Sequence, residues 1–228
     1  MIDSIRRLSW SDPHLADIDM PKGVMKLTRS LASGLCRSPA DPANIFWGVG
    51  DRGPNINPKS AAERYGADHL RALAEIDGAK IMPLPATGPA LARFRIEGDA
   101  ILLEAVVNLS DTDGTPFSGL PVPNGPHAEF EPVYDLSGTR LCSDPNGADS
   151  EGIAALPDGS FWIAEEYGPS LLHVNRGGQV MVRWVPVGSG DCFKGAGYPV
   201  LPAIASARKL NRGFEAIGNR QVQTEGHC

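Results

Sequence analysis

No apolar run in this chain approaches the roughly 18 residues needed to cross a bilayer, so a membrane partner is not expected. The N-terminus, MIDSIRRLSWSDPHLADIDM, reaches Asp12 and Pro13 before an apolar stretch of about 7 to 15 residues can form. It carries no export signal, and by itself it points to the cytoplasm. Basic residues are short as well: 21 Lys and Arg face 27 Asp and Glu, a formal charge of -6, with no basic block. Nucleic acid is therefore not an expected partner, because phosphate binding needs a concentrated positive surface. The cysteines Cys36, Cys142, Cys192 and Cys228 lack the Cys-x-x-Cys spacing of a zinc site and read mostly as buried thiols, their even number leaving one or two disulfides open. There is no G-x-S-x-G elbow, no H-E-x-x-H and no phosphate-binding G-x-x-x-x-G-K-[ST]. Gly48-Val49-Gly50-Asp51-Arg52-Gly53 does fit a dinucleotide pattern, but Pro54 and Pro58 stand where its helix should begin. His14, His69, His127, His173 and His227 are scattered singly, and His173, among apolar neighbours, reads as a packed strand residue.

What is abundant is turn chemistry. Twenty-six glycines and 20 prolines in 228 residues favour an all-β architecture over a helical one. Between Glu151 and Val187, four short apolar runs (GIAAL, SFWIAEE, SLLHV and QVMVRWVPV) are separated by Pro157-Asp158-Gly159, Tyr167-Gly168-Pro169 and Arg176-Gly177-Gly178. They predict a four-stranded antiparallel meander.

That unit is repeated. SGLCRSPADPANIFWGVGDRGPN, from residue 33, aligns with EGIAALPDGSFWIAEEYGPS, from residue 151, pairing Gly34 with Gly152, Phe46-Trp47 with Phe161-Trp162 and Gly53-Pro54 with Gly168-Pro169. A third start is visible in NRGFEAIG, where Glu215-Ala216-Ile217 follows Glu151-Gly152-Ile153. Repeated four-stranded sheets predict a β-propeller, whose blades bury their faces against one another. The first copy is interrupted by KSAAERYGADHLRALAEIDG. Ser60 and Glu63 form a capping box there, Leu70, Leu73 and Ala74 share a face, and the expectation is one helix over residues 60–77 ended by Gly78. LARFRIEGDAILLEAVVNL then gives two strands around Glu97-Gly98-Asp99, and a loop-rich bridge with a hairpin in EFEPVYDLSGTRL leads to the second copy. The whole of residues 1–228 reads as one domain with a lead-in over 1–30 and an atypical tail over 218–228.

SGLCR, DRGPN, DSEGIAALPDGSFWIAEEYGPSLLHV and NRGFEAI, in that order, resemble the phytase-like family described as having esterase-like activity. The resemblance implies a β-propeller, export to the periplasm or outside the cell, commonly from bacteria, and hydrolysis of a small-molecule ester or phosphate ester. The family pattern would continue after GFEAI with further blades, whereas GNRQVQTEGHC shows no apolar alternation. The expectation is a truncated, open propeller with a blade edge available for self-association.

In a propeller the first strand of each blade lines the central channel, which turns Glu151 and Glu215 toward one funnel. Carboxylates brought close repel unless a proton or hard cation lies between them, and Ca²⁺, which takes six to eight oxygen ligands, suits them. Asp149, Asp51 and Glu166 are expected at the same rim, Asp51 and Glu166 at matching repeat positions; the alternative is that each acid, Glu151 and Glu215 included, caps a turn, with Asp51 paired to Arg52 or a neighbouring blade. Expected metal ligands are thus Glu151, Glu215, Asp51 and Asp149; expected catalytic groups are Glu151, Glu215 and Glu166. Arg52 and Arg212 are expected at a substrate phosphate, with an inter-blade salt bridge as the equal alternative for both. Tyr167 either touches substrate or plugs the blade top. Asp111 and Asp113, in DTDGT, lack the later ligands of a calcium loop and read as a turn. Beside hydrolysis, a non-catalytic ligand- or protein-binding propeller and an inactive product remain open.

Overall fold

The computed structural model describes residues 5–123, 131–193, 197–207 and 212–218. Its described residues are mostly β-sheet with few helices. An N-terminal hairpin, β1 (His14–Met20) and β2 (Gly23–Thr28), lies where only a lead-in was expected. The first repeat supplies β3 (Gly34–Cys36), β4 (Ile45–Val49), β6 (Ala90–Glu97) and β7 (Ala100–Asn108), an antiparallel sheet in the order β3-β4-β6-β7. Two short strands, β5 (Lys80–Ile81) and β8 (Val133–Tyr134), pair in parallel and tie the insertion to the bridge. The hairpin expected in the bridge is present from Val133, where Leu141 N–H donates to Val133 O, while residues 124–130 lie outside the described residues.

The second repeat forms β9 (Ser150–Ala155), β10 (Phe161–Glu165), β11 (Ser170–Val174) and β12 (Val180–Pro186), the expected antiparallel meander. A fifth strand, β13 (Gly197–Leu201), adds in parallel beside β12, so this sheet exceeds the expected four. Two of its turns take their form from an Asx bond: Asp158 Oδ1 accepts from Ser160 N–H at 2.9 Å, and Asn175 Oδ1 from Gly177 N–H at 2.9 Å.

The two sheets pack face to face because period-2 alternation gives each a continuous apolar side. Ile45, Trp47, Val49 and Leu91 of the first sheet meet Ile153, Phe161, Ile163 and Leu172 of the second in one core, the Trp47 and Phe161 rings 4.9 Å apart. Burying each such side chain stabilises by about 1.5–3 kcal/mol. The repeat starts also lie side by side. A Cβ on Gly34 would come 3.0 Å from Gly152 Cα, and one on Gly152 would come 2.8 Å from Ala216 Cα. Small residues at these positions let successive inner strands approach closely.

The insertion corrects the single helix expected over 60–77. Asn57 is the N-cap, accepting from Lys59 N–H at 2.9 Å, and Pro58 opens α1 (Pro58–Tyr65), so the Ser60–Glu63 pair is internal to the helix. Gly66, at φ 72°, ends it in the left-handed conformation, twelve positions before the expected stop. The chain resumes as a 3₁₀-helix over Asp68–Glu75. With three residues per turn, Leu70 and Leu73 face the cluster of Ala61, Ile81 and Tyr134, whereas Ala74 turns out to solvent.

Cys36, Cys142 and Cys192 form no disulfide with one another, and Cys228 lies outside the described residues. Burial pushes the Cys36 thiol up to about 11, but Cys142 is exposed, contrary to the expectation of a buried thiol.

Candidate functional site

The acidic residues of the second repeat converge where β9 begins and β10 ends. In the β9–β10 ladder Ser150 opposes Glu165 and Gly152 opposes Ala164, which leaves Glu151 as the extra residue of a bulge. Bulges re-aim a side chain out of the ladder. Asp149 immediately precedes β9, Glu166 immediately follows β10, and Glu166 N–H donates to Asp149 O at 2.9 Å, clamping the two ends together. As a result one carboxylate oxygen from each of Asp149, Glu151 and Glu166 lies within 4.8 Å of the others. Asp149 and Glu166 are buried, and Glu151 is partly exposed.

The electrostatics follow from that crowding. Burial, followed by the charges of Glu166, Asp51 and Glu215, pushes Glu151 up to about 7. Burial also raises Asp149 well above the usual carboxylate range; Arg52 opposes the shift, while Asp51, Glu151 and Glu166 reinforce it. Asp51 is raised as well, chiefly by burial, despite accepting from Gly53 N–H at 2.7 Å. Asp12, whose Oδ1 accepts from Leu31 N–H, adds to that rise.

Arg52 brings a cation to Asp149. Its backbone N–H donates to Asp149 Oδ1 at 3.2 Å, and its Nη1 lies 3.3 Å from Asp149 Oδ2 and 2.5 Å from Glu131 Oε2. The same Nη1 donates to Tyr167 Oη at 2.5 Å, and Tyr167 Oη donates to Glu131 Oε2 at 3.0 Å. Burial alone would favour the neutral guanidine, but Asp149, Tyr167 and Glu131 hold the guanidinium charged, above its ordinary value. Arg52 therefore adopts the inter-sheet salt bridge, and Tyr167 plugs the top of its sheet with 3% of its surface exposed.

Behind the cluster lies a second network. Glu165 Oε1 accepts from Asp149 N–H at 3.1 Å and Tyr167 N–H at 2.7 Å, and its Oε2 accepts from Ser170 Oγ at 2.8 Å and Arg183 Nη2 at 3.1 Å. Both members of the Glu165–Arg183 pair are buried. The adjacent glutamates thus divide: Glu165 fixes the backbone of the site, and Glu166 joins its carboxylates.

Glu215 and Arg212 are exposed on the segment 212–218. Glu215 is near enough for its charge to raise Glu151 but stands outside the three-oxygen cluster. The segment is pressed against the site all the same: a Cβ on Gly213 would fall 2.1 Å from Glu166 O. Glu131, Glu165, Arg183 and Asp12 were not anticipated from sequence. For Glu165 a signal existed, since it shares the parity of Phe161 and Ile163, the inward face of β10.

One Ser–His pair is present at the opposite end of the second sheet, where Ser160 Oγ and His173 Nε2 are 2.8 Å apart. The Ser160 hydroxyl also donates to Asp158 Oδ1 at 2.6 Å, within the tight turn that joins β9 to β10. The Asp111–Thr115 segment is closed by turn bonds, Gly114 N–H to Asp111 O and Thr115 N–H to Asp113 Oδ1.

Among the described residues no helix is long and apolar enough to cross a membrane. No solved structure matches the chain. An uncharacterized secreted protein of the fungus Arthroderma benhamiae is 29% identical over 203 residues, which cover 76% of this chain and 37% of that protein. The chain thus spans about a third of the length of the curated relative it matches. The family model described as "Esterase-like activity of phytase" matches residues 31–221, from just before the first repeat to beyond GFEAI, and the chain belongs to this phytase-like family.

Proposed function

We propose that the chain is part of a β-propeller hydrolase that acts on a small-molecule ester or phosphate ester at the acidic rim formed by Asp149, Glu151 and Glu166. The observation that supports it is the gathering of three carboxylate oxygens within 4.8 Å, two of their residues buried, with Arg52 3.3 Å from Asp149. Three converging hard oxygen donors fit Ca²⁺, with Asp149, Glu151 and Glu166 as ligands and Asp51 and Glu215 adding charge nearby. When bound, such an ion supplies a Lewis acid for a phosphoryl or acyl oxygen and lowers the pKa of a ligand water.

The chain's own residues do the rest. Glu151, on its bulge and partly exposed, is the acid–base candidate nearest solvent: in the ion-free rim its carboxyl is raised to about 7, and a bound cation would hold it ionised, as a base. Glu166 and Glu215 flank it as the remaining acid and base candidates. Arg52 and Tyr167 keep Asp149 oriented instead of meeting substrate, and the exposed Arg212 remains the proposed contact for an anionic group. A location outside the cytoplasm accords with the secreted relative and with the availability of Ca²⁺ there.

The test combines Tb³⁺ luminescence and Ca²⁺ competition with turnover of aryl phosphate and aryl acetate, with and without chelator. Expected are ion binding, chelator-sensitive turnover, and loss of both in Glu151→Gln. Turnover indifferent to chelator and to Glu151→Gln would overturn the reading.

A further inference from the structure

The segment that presents Asp149 to the acidic rim is held from outside. Asn146 and Ser150 bracket Gly147-Ala148-Asp149 and are buried, yet among the described residues neither Asn146 Nδ2 nor Ser150 Oγ has a hydrogen-bond partner. Gly147 leaves no room for a side chain, since a Cβ there would fall 1.9 Å from Leu120 O. Among the described residues, the side chains that bond the backbone of Gly147 and Asp149 both come from the second sheet. Glu165 Oε1 accepts from Asp149 N–H at 3.1 Å, and Arg183 donates from Nη1 and Nη2 to Gly147 O, each at 3.2 Å.

Arg183 stands on β12 opposite the core residue Leu172, where burying a cation is costly. Each of its contacts is directed. Nε donates to Ser170 Oγ at 3.0 Å and Nη2 to Glu165 Oε2 at 3.1 Å, while the guanidinium lies 4.2 Å from the Phe193 ring and 5.7 Å from that of Phe117. A buried ion pair of this kind adds little stability over apolar residues of similar volume. What it adds here is geometry: one planar guanidinium fixes the carbonyl of Gly147 and, through Glu165, the amide of Asp149, whose own carbonyl accepts from Glu166 N–H at 2.9 Å. We infer that Arg183 is a positioning residue for the ion site: acting through Gly147 and Glu165, it sets the backbone that presents Asp149, and with it Glu166, to the ion. The inference rests on the metal reading of the rim and deepens it by naming the side chain behind the ligands that controls their placement.

The experiment reads Tb³⁺ affinity and the urea midpoint side by side in the 228-residue chain. Arg183→Met combined with Glu165→Gln removes both buried charges at once and keeps a side-chain oxygen for the amides of Asp149 and Tyr167, so the urea midpoint should stay near the parent's. Tb³⁺ affinity should nevertheless fall roughly 10- to 100-fold, the usual effect of losing a partner behind a metal ligand. Arg176→Ala, at the other end of the sheets, is the control for lost stability alone and should bind Tb³⁺ as the parent does. Parent-like affinity in the folded double variant overturns the inference. So does an equal loss of affinity in Arg176→Ala, because affinity would then merely follow stability. If the double variant does not fold, Arg183→Lys decides. It keeps a buried charge, but a single nitrogen cannot replace a fork that reaches Gly147 O and Glu165 together. Several-fold weaker Tb³⁺ binding in the folded Lys variant is expected, and parent-like binding overturns the assignment. A parent chain that binds no Tb³⁺ overturns the ion site and this inference with it, a result distinct from a binding parent whose variants bind equally well.

Discussion

Asp51-Arg52-Gly53-Pro54 and Glu166-Tyr167-Gly168-Pro169 are the same four positions of two repeats, and the fold has made them do different work. Arg52 and Tyr167 meet directly, Nη1 to Oη at 2.5 Å, so equivalent residues of neighbouring sheets become partners. Asp51 caps its own turn through Gly53 N–H, whereas Glu166 turns into the Asp149–Glu151 cluster. One copy thus provides the cation that holds the acidic rim together, and the other provides the rim. A repeat gives two sites the same backbone; divergence at two positions separates support from chemistry.

The comparison is broken most severely at Arg52. Arg52→Met leaves the buried carboxylates of Glu131 and Asp149 without their cation, and removal of one partner from a buried pair costs about 3–5 kcal/mol. Tyr167→Phe, at the matching position, deletes a hydroxyl and should cost about 1–2 kcal/mol. Urea denaturation of both variants checks the order. Equal losses would mean that the two repeats share the load evenly.

A smaller effect tests the contact between the sheets at their other end. Arg176, in the turn after β11, reaches across to the first sheet, donating to Asp41 at 3.2 and 2.7 Å and lying 5.4 Å over the Trp47 ring. Asp41 in turn accepts from Trp47 Nε1 at 2.9 Å. Since Arg176 is partly exposed, Arg176→Ala should cost about 1 kcal/mol, read as a lowered urea midpoint with unchanged slope. No change would leave the apolar core alone joining the sheets at this end.

The meander of the second repeat was legible because local turn chemistry and period-2 alternation agree at every strand. The helical insertion was half legible: the apolar residues marked an amphipathic segment, but Gly66 competes as a C-cap and the period changes from 3.6 to 3 beyond it. The cluster of Asp149, Glu151 and Glu166 was within reach because repeat alignment brings inner strand ends together. The choice between Arg52's two readings was not, since its partner Glu131 lies 79 residues away in a bridge that has no periodicity to place it. The parallel β13 had no local signal either, because an edge strand's partner is set by the sheet it joins.

The smallest expected effect concerns pH and separates the acidic rim from the rest of the protein. Glu151 is raised from 4.5 to about 7, and burial raises Asp149 and Asp51 in the same direction. Between those two values the folded chain holds protons that the unfolded chain has released, so the slope of stability with pH is negative. Stability should therefore decline as pH rises from about 4.5 to 7 and level off for Glu151 above that. Glu151 is partly exposed and solvent screens its charge, which keeps its share of the decline modest. Glu151→Gln should flatten the melting-temperature profile over this interval, and millimolar Ca²⁺, by favouring the ionised carboxylates, should restore the loss in the parent chain but not in the variant. A parent profile that rises from pH 5 to 7 would show the carboxylates already compensated in the fold, and the rim would then be a structural salt-bridge network like that of Glu165 and Arg183.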